Sequence, residues 1–376
     1  MNTSASAELS PTQIGDRLKQ ARNRLDLTLQ DVAKQLGFSI STLSDIERGQ
    51  RQVSSVELFR FARFYSRPID YFLKEGKSGS SFQLLLRAID ETAISKDLIV
   101  KFEQLCDNYS FIKELVKAPD MSSPPDYSRK SRNTDDAEEI ADSERANLGA
   151  SDQPIKDIYA LLESKRGIKI FHLPENPKIF AGAFANDEAC GACFLINSNN
   201  TYRRRAFTVA HEYGHCIAHR DQIAHIDSDD AFENTNTNER FADAFAAAFL
   251  MPRRSILEMW NHLRSDERNT TPSLILQLAV YFGVSFEAVG WRLVTLRKLS
   301  REKWLQISEQ RIPSTPIARF FGYQIEDDKS PEMLPSQYKY LCYQAYEQHL
   351  ISFERLAELL NRNFYDLRSE LSNSIG

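Results

Sequence analysis

The sequence predicts an α+β protein: an all-α bundle of short helices, then a mainly helical domain with a small sheet, then a helical C-terminal region. Three observations carry this. Capped helical periods separated by glycines fill residues 12–75, the strand-like GIKIFHL and CGACFLIN interrupt helical patterns in the middle of the chain, and residues 301–376 return to helical periods. With 376 residues, 42% of them apolar, there is room for two or three packed domains.

No run of about 18 apolar residues is present, and the opening MNTSASAELSPTQIG lacks a basic-then-apolar leader, so a cytoplasmic protein with no membrane partner is expected. Five cysteines, odd in number and sparse, make no disulfide framework and suit a reducing compartment. The net charge of −5 argues against a chain that coats nucleic acid throughout. Charge is segregated, however: residues 14–75 carry eleven Lys and Arg against eight Asp and Glu.

In residues 12–75, Ile14, Leu18, Ala21 and Leu25 share one helical face. Thr28 caps LQDVAKQLGF, where Leu29, Val32, Ala33 and Leu36 repeat the period and Gly37 ends it. Ser39 and Ser41 open a short helix with Leu43 and Ile46 inward, and Gly49 stops it. Two short helices across a tight Gly-bearing turn are a helix-turn-helix signature.

With TLQDVAKQLGFSISTLSDIERGQR followed by VELFRFARFYSRPIDYFL, this segment resembles the phage-repressor (Xre) type of helix-turn-helix over about sixty residues. The resemblance implies that residues 12–75 bind double-stranded DNA, with Ile40, Ser41, Ser44 and also Asp45 facing bases and Thr42, Arg48 and Arg51 nearer phosphates. It also implies a structural ion pair between Arg22 and Glu47. The base-facing positions lack Arg, Lys, Asn and Gln, so sequence preference is expected from apolar and shape readout. The competing reading is a docking or dimerisation module without DNA, because the excess positive charge is small.

Residues 80–118 read as a helical spacer or dimerisation element, one helix with Phe82, Leu85, Leu86 and Ile89 on a face, the next with Leu98, Phe102, Leu105, Tyr109, Ile112 and Leu115. Residues 119–136, rich in Pro, Ser and charge, read as a flexible linker, the chain's main domain boundary and a candidate for self-cleavage. A domain of residues 137–300 follows, then the helical region 301–376.

Within the middle domain, AFTVAHEYGHCIAH has helical period, so His211 and His215, four residues apart, project from one face and can meet one ion. Glu212 lies beside them as a candidate base, and Gly214 leaves room for a neighbouring element. Two histidines leave a tetrahedral zinc one protein ligand short if a water position is kept open. Glu239 supplies it from the apolar helix NTNERFADAFAAAFLMP, where Phe241, Phe245 and Phe249 dictate burial and an ionised carboxylate needs a cation. Asp243, one turn on, can accept from the distal nitrogen of a histidine and fix its tautomer. HExxH followed by NExxxD is the ligand pattern of glutamate-type zincins.

Through RRAFTVAHEYGH, ERFADAFAAAFLMP and LAVYFGVSFEAVGWRL, residues 137 to 298 resemble the ImmA/IrrE family of bacterial metallopeptidases. The resemblance implies a zincin-like peptidase core, Zn2+ (with Mn2+ second) held by His211, His215 and Glu239, and Glu212 as catalytic base. It implies a repressor-like or antitoxin-like protein substrate, cleaved to relieve repression under stress. Tyr213, Tyr202 and Arg204 are candidates for stabilising an oxyanion, with nothing to choose among them.

Other chemistry-bearing residues are read as structural. His219 is too far along the helix to reach the same ion as His211 and should pack or hydrogen-bond. Cys190 and Cys193 form a CxxC whose sulfurs would face opposite ways on a strand. Asp227, Asp229 and Asp230 belong to a solvated loop. TPSLILQLAVYFGVSFEAVGWRLVTL reads as two helices across a Gly turn, and LPSQYKYLCYQAYEQHL with ISFERLAELLNRNFYDLRSEL as a pair of amphipathic helices that sense a ligand, dimerise or hold substrate. The expected protein is therefore a DNA-binding regulator with a zinc-dependent endopeptidase acting on a protein partner or a second copy of itself. Its rival is a non-proteolytic transcription factor that uses the peptidase-like domain as a ligand sensor.

Overall fold

The computed structural model describes residues 10–24, 27–65, 69–73, 94–130, 133–187, 190–219, 224–227, 237–263, 271–309 and 331–373. Leu25, Phe82, Leu85, Leu86, Ile89, Asp229 and Asp230 lie outside them. The chain divides into two compact units: Met1–Ser80 with Ser95–Asp107, and Ser81–Ile94 with Asn108–Gly376.

The first unit holds α1 (Pro11–Arg24), α2 (Leu29–Leu36), α3 (Ile40–Glu47), α4 (Ser55–Phe64) and α5 (Ile69–Leu73). Local chemistry sets the limits. The Thr28 hydroxyl accepts the Asp31 N–H at 3.2 Å while the Asp31 carboxylate accepts the Thr28 N–H at 2.8 Å, a reciprocal cap that starts α2. Ser39 accepts the Thr42 N–H at 3.1 Å to start α3, and Ser54 with Glu57 repeats the reciprocal cap at α4. Leu18, Val32, Leu43, Ile46, Phe61 and Phe72 close the core.

A long helix, α6 (Lys96–Leu115), begins among residues of the first unit and ends in the second. The second unit continues with α7 (Thr134–Leu148), α8 (Ile158–Arg166), β1 (Lys169–Leu173), β2 (Gly182–Asp187), β3 (Gly191–Asn197), α9 (Tyr202–Ala218), β4 (Ala224–Asp227) and α10 (Thr237–Leu250). Then come α11 (Arg253–Leu263), α12 (Pro272–Phe282), α13 (Phe286–Thr295), α14 (Arg301–Ser308), α15 (Ser336–Glu347), α16 (Phe353–Leu359) and α17 (Phe364–Asn373). The fold is α+β. Four strands lie in the order β1-β3-β2-β4, with β1 parallel to β3 and the other pairs antiparallel. Ile170, Phe171, Phe194, Leu195 and Ile196 are all buried although neighbours in sequence point to opposite faces, so both faces of β1 and β3 are covered. Helix α9 packs on β2 and β3 and against α10, which in turn packs on α7. No single described helix is long and apolar enough to cross a membrane.

Three expectations change. The segment expected as a flexible linker, residues 119–136, is held down within the second unit. Pro124 is buried, the Ser122 hydroxyl donates to the Lys165 carbonyl at 2.5 Å, the Tyr127 N–H donates to the Ile217 carbonyl at 2.7 Å, and α7 starts inside it under an Asn133 cap. A Pro- and Ser-rich stretch cannot build a core of its own, but it can be pinned to another's, here at Pro124 and Tyr127, while most of its other described residues stay exposed. The expected pair of C-terminal helices is three, because Asn361 turns left-handed at φ +51° and Asn363 accepts the Tyr365 N–H at 2.9 Å, ending one helix and starting another. Asp227, expected in a loop, ends β4 opposite Gly182.

Candidate metal centre and nucleic-acid face

Thr201 caps α9, and the helix is buried from Thr208 to its end. The four-residue spacing sets the two imidazoles side by side, with His211 Nε2 and His215 Nε2 3.1 Å apart. From α10, Glu239 brings Oε2 to 3.4 Å of His211 Nε2 and Oε1 to 3.4 Å of His215 Nε2. All three side chains are buried.

The group fits a divalent cation on two counts. The edges of a tetrahedron with metal–ligand bonds of 2.0–2.1 Å measure about 3.3 to 3.4 Å, close to the three separations observed. The second count is electronic. His211 Nδ1 lies 2.9 Å from the Asp243 carboxylate, which only accepts, so that nitrogen carries the hydrogen and Nε2 is left with its lone pair. His215 Nδ1 meets His219 Nδ1 at 3.0 Å, an arrangement that leaves His215 Nε2 the acceptor when its Nδ1 donates. Two lone pairs and a carboxylate then converge in a buried space, which is unfavourable without a cation between them.

Close packing makes this convergence possible. A Cβ on Gly214 would lie 3.0 Å from Phe245 Cδ1 and 3.3 Å from Ala242 Cα, so glycine lets α9 and α10 approach along the ligand faces. Gly182 does the same for β2: a Cβ there would stand 2.5 Å from Thr208 Cγ2 and 3.3 Å from a carboxylate oxygen of Glu212. Glu212 is fully buried between its helix and this strand. Sequence reasoning missed Gly182, whose only signal was the small-residue run AGAF.

Sequence reasoning also missed the polar network under α9. Arg166 donates to Glu144 Oε2 at 2.9 Å and to the Tyr213 hydroxyl at 3.1 Å, Tyr213 itself donates to Glu144, and Tyr127 donates to Glu144 Oε1 at 2.9 Å. Burial, then the Glu144 charge, holds the Tyr213 phenol far above its ordinary range, so it stays a neutral donor to Glu144. That corrects its listing as an oxyanion candidate. Tyr202 donates to the Lys156 carbonyl at 3.3 Å, and Arg204 is half-buried on the first turn of α9.

The CxxC reading is overturned. Cys190 precedes β3 in a turn that Gly191 reverses at φ +77°, so its sulfur comes within 3.1 Å of Cys193 Sγ instead of facing the other way. His219 ends α9 and packs on Phe241, besides meeting His215.

In the first unit, Arg22 Nε and Nη2 bind Glu47 Oε1 and Oε2 at 2.7 and 2.8 Å, a two-pronged pair that ties α1 to α3. On α3, Ile40 is half exposed and Ser41 exposed, while Thr42, Ser44 and Asp45 are half-buried. Arg48 pairs with Asp45 at 2.9 Å and Arg51 with Glu57 at 2.8 Å, both at the surface.

Comparison with known proteins follows the same division. Residues 13–70 match the model of a helix-turn-helix domain, and residues 163–294 that of a peptidase family described as IrrE N-terminal-like domain. A curated relative, an uncharacterized transcriptional regulator in the ATPase CF(0) region of Rhodospirillum rubrum, is 32% identical over 66 residues, 18% of this chain and 61% of the relative. The chain thus spans about three fifths of the length of that relative. Among solved structures, a Mycobacterium tuberculosis transcriptional regulator is similar at 18% identity and a TM-score of 0.31, over 52% of this chain and 54% of that one. The apo form of ComR from S. thermophilus is similar at 12% identity and a TM-score of 0.15, over 93% and 91%. The chain carries a helix-turn-helix domain at residues 13–70 and, at residues 163–294, the metallopeptidase-like domain of the IrrE N-terminal-like family.

Proposed function

We propose that the protein is a transcriptional regulator whose residues 12–75 bind double-stranded DNA and whose residues 137–300 form a zinc-dependent endopeptidase. Its substrate is a repressor-like or antitoxin-like protein. The observation that carries the reading is the convergence of His211, His215 and Glu239, each buried and each offering a ligand atom to one point. Two imidazoles and one carboxylate favour zinc over manganese.

His211, His215 and Glu239 would hold a divalent cation, which would supply Lewis acidity toward a peptide carbonyl and toward water near neutral pH. Glu212, next to His211 and buried against Gly182, takes the proton from the attacking water and returns it to the leaving amine. Asp243 keeps the hydrogen of His211 on Nδ1, so that Nε2 stays a ligand. The DNA-binding half is supported by the matched helix-turn-helix domain and by the exposed Ile40 and Ser41 at the start of α3, with Thr42, Ser44, Arg48 and Arg51 around them.

Glu212→Gln tests the reading. The variant should keep its zinc, retain an uncut protein partner on purification, and cleave that partner 10²- to 10⁴-fold more slowly, the usual contribution of a general base. Unchanged regulation in cells expressing the variant would instead favour the sensor without proteolysis.

A further inference from the structure

The sulfurs of Cys190 and Cys193, which the metal centre does not use, stand 3.1 Å apart. A zinc ion shared by two thiolates would spread them to about 3.8 Å, the edge of a tetrahedron with bonds of about 2.3 Å. A disulfide would draw them to about 2.05 Å. The observed separation is too short for a shared zinc and about 1 Å from a covalent bond, a gap that small rotations about the two Cα–Cβ bonds can close. Cys193 is fixed in β3, in register with Lys169 of β1 and Ala185 of β2, so closure falls to Cys190 in the turn before the strand.

The two thiols differ in access. A cavity of about 340 Å³ opens between residues 118–124, β1 and α15, and Cys190 lines it at 4% exposure, whereas Cys193 is fully buried. Charge on the cavity wall is biased: Lys113, Arg166 and Lys169 face one carboxylate, Asp120. Lys113 is paired with Asp120 and Arg166 is turned to Glu144, so among these lining residues the excess charge is the Lys169 ammonium. It lies 5.6 Å over the Tyr109 ring and would be 3.2 Å from a Cβ on Gly191, next in the chain to Cys190. A molecule that reaches Cys190 through this opening therefore meets a positive wall, which favours an anion.

We infer that Cys190 and Cys193 are a reversible redox pair, oxidised by an anionic low-molecular-weight disulfide that enters this cavity. Cys190 loses its proton and attacks one sulfur of the small disulfide, whose S–S bond breaks; the thiolate released takes up that proton. Cys193, deprotonated in turn, attacks Cys190 Sγ and displaces the second small thiol, which takes the second proton. Two thiols are oxidised to one disulfide and one small disulfide is reduced to two thiols. The pair is independent of the peptidase reading, since neither cysteine belongs to the His211, His215 and Glu239 group. The probes are oxidised glutathione, an anion, and cystamine, a cation, each added to the reduced full chain. Both cysteines fall on one tryptic peptide, residues 179–203, which should lose two hydrogens and regain them with dithiothreitol. Cys193→Ser should instead accumulate one glutathione on Cys190. With each rate divided by that of the chain unfolded in urea, oxidised glutathione should react about tenfold faster than cystamine at low salt, and the gap should narrow as salt is added. If Cys193→Ser does not fold, the peptide map and the charge contrast decide alone. No internal disulfide in residues 179–203, a disulfide from that peptide to another cysteine, or equal normalised rates for the two probes would overturn the inference.

Discussion

Side by side, the candidate metal centre and the exposed side of α3 handle charge in opposite ways. Glu239 is 4% exposed and set against two imidazoles whose far nitrogens meet Asp243 and His219, while Arg48 and Asp45, 58% and 44% exposed, pair across solvent. Buried acceptors cannot be rehydrated, so their geometry is preorganised by packing at Gly214 and Gly182. The surface pairs contribute from nothing to about 1 kcal/mol and can be exchanged for phosphate partners at little cost. On the proposed function, a catalytic centre needs the first arrangement and a DNA-binding face is served by the second. Arg22 and Glu47 show that the first unit also uses the buried style, but to hold α1 on α3 rather than to present a charge.

The sharpest way to break this contrast is Arg22→Met, which strands Glu47 in the core. The first unit should lose about 3 kcal/mol in denaturant unfolding. A loss below about 1 kcal/mol would mean the pair behaves as a surface one. A smaller effect is expected from Asp243→Asn, where an amide can offer its own N–H and no longer enforces the His211 tautomer. Zinc affinity should fall 10- to 100-fold by competition with a chelating dye, and unchanged affinity would remove Asp243 from the account. Smallest is Arg48→Ala: duplex DNA binding should weaken a few-fold irrespective of sequence, with the salt slope falling by about one, whereas a selective loss at one base would make Arg48 a reader.

How much of this was legible in the chain follows the range of each signal. Thr28, Ser39 and Gly37 act within four residues, so the short helices of residues 12–75 could be read off directly. His211 and His215 share a helix face by spacing, and Glu239 stood out as a carboxylate in a run of Phe and Ala; the fold brings these three together. What could not be read depends on distant partners. Glu144 receives Tyr127, Arg166 and Tyr213 from three separate segments, and nothing local distinguishes it from a solvated acid. Composition pointed the wrong way at residues 119–136, because low apolar content says that a segment cannot fold alone, not that it stays undocked. Cys190 and Cys193 were misread because the strand begins at Gly191, one residue later than a uniform strand over CGAC would require. The contact of Met333 with β1 was invisible too, since the carbonyl that accepts the His172 N–H at 3.0 Å is remote in sequence.

Zinc content of the purified chain, measured by elemental analysis beside Glu239→Gln, bears most directly on the centre. The wild-type protein should hold about one zinc per chain through gel filtration and the variant should lose most of it. A wild-type chain that retains no divalent metal when zinc is supplied, or a variant that binds as much as the wild type, would contradict the assignment of His211, His215 and Glu239 as a metal centre.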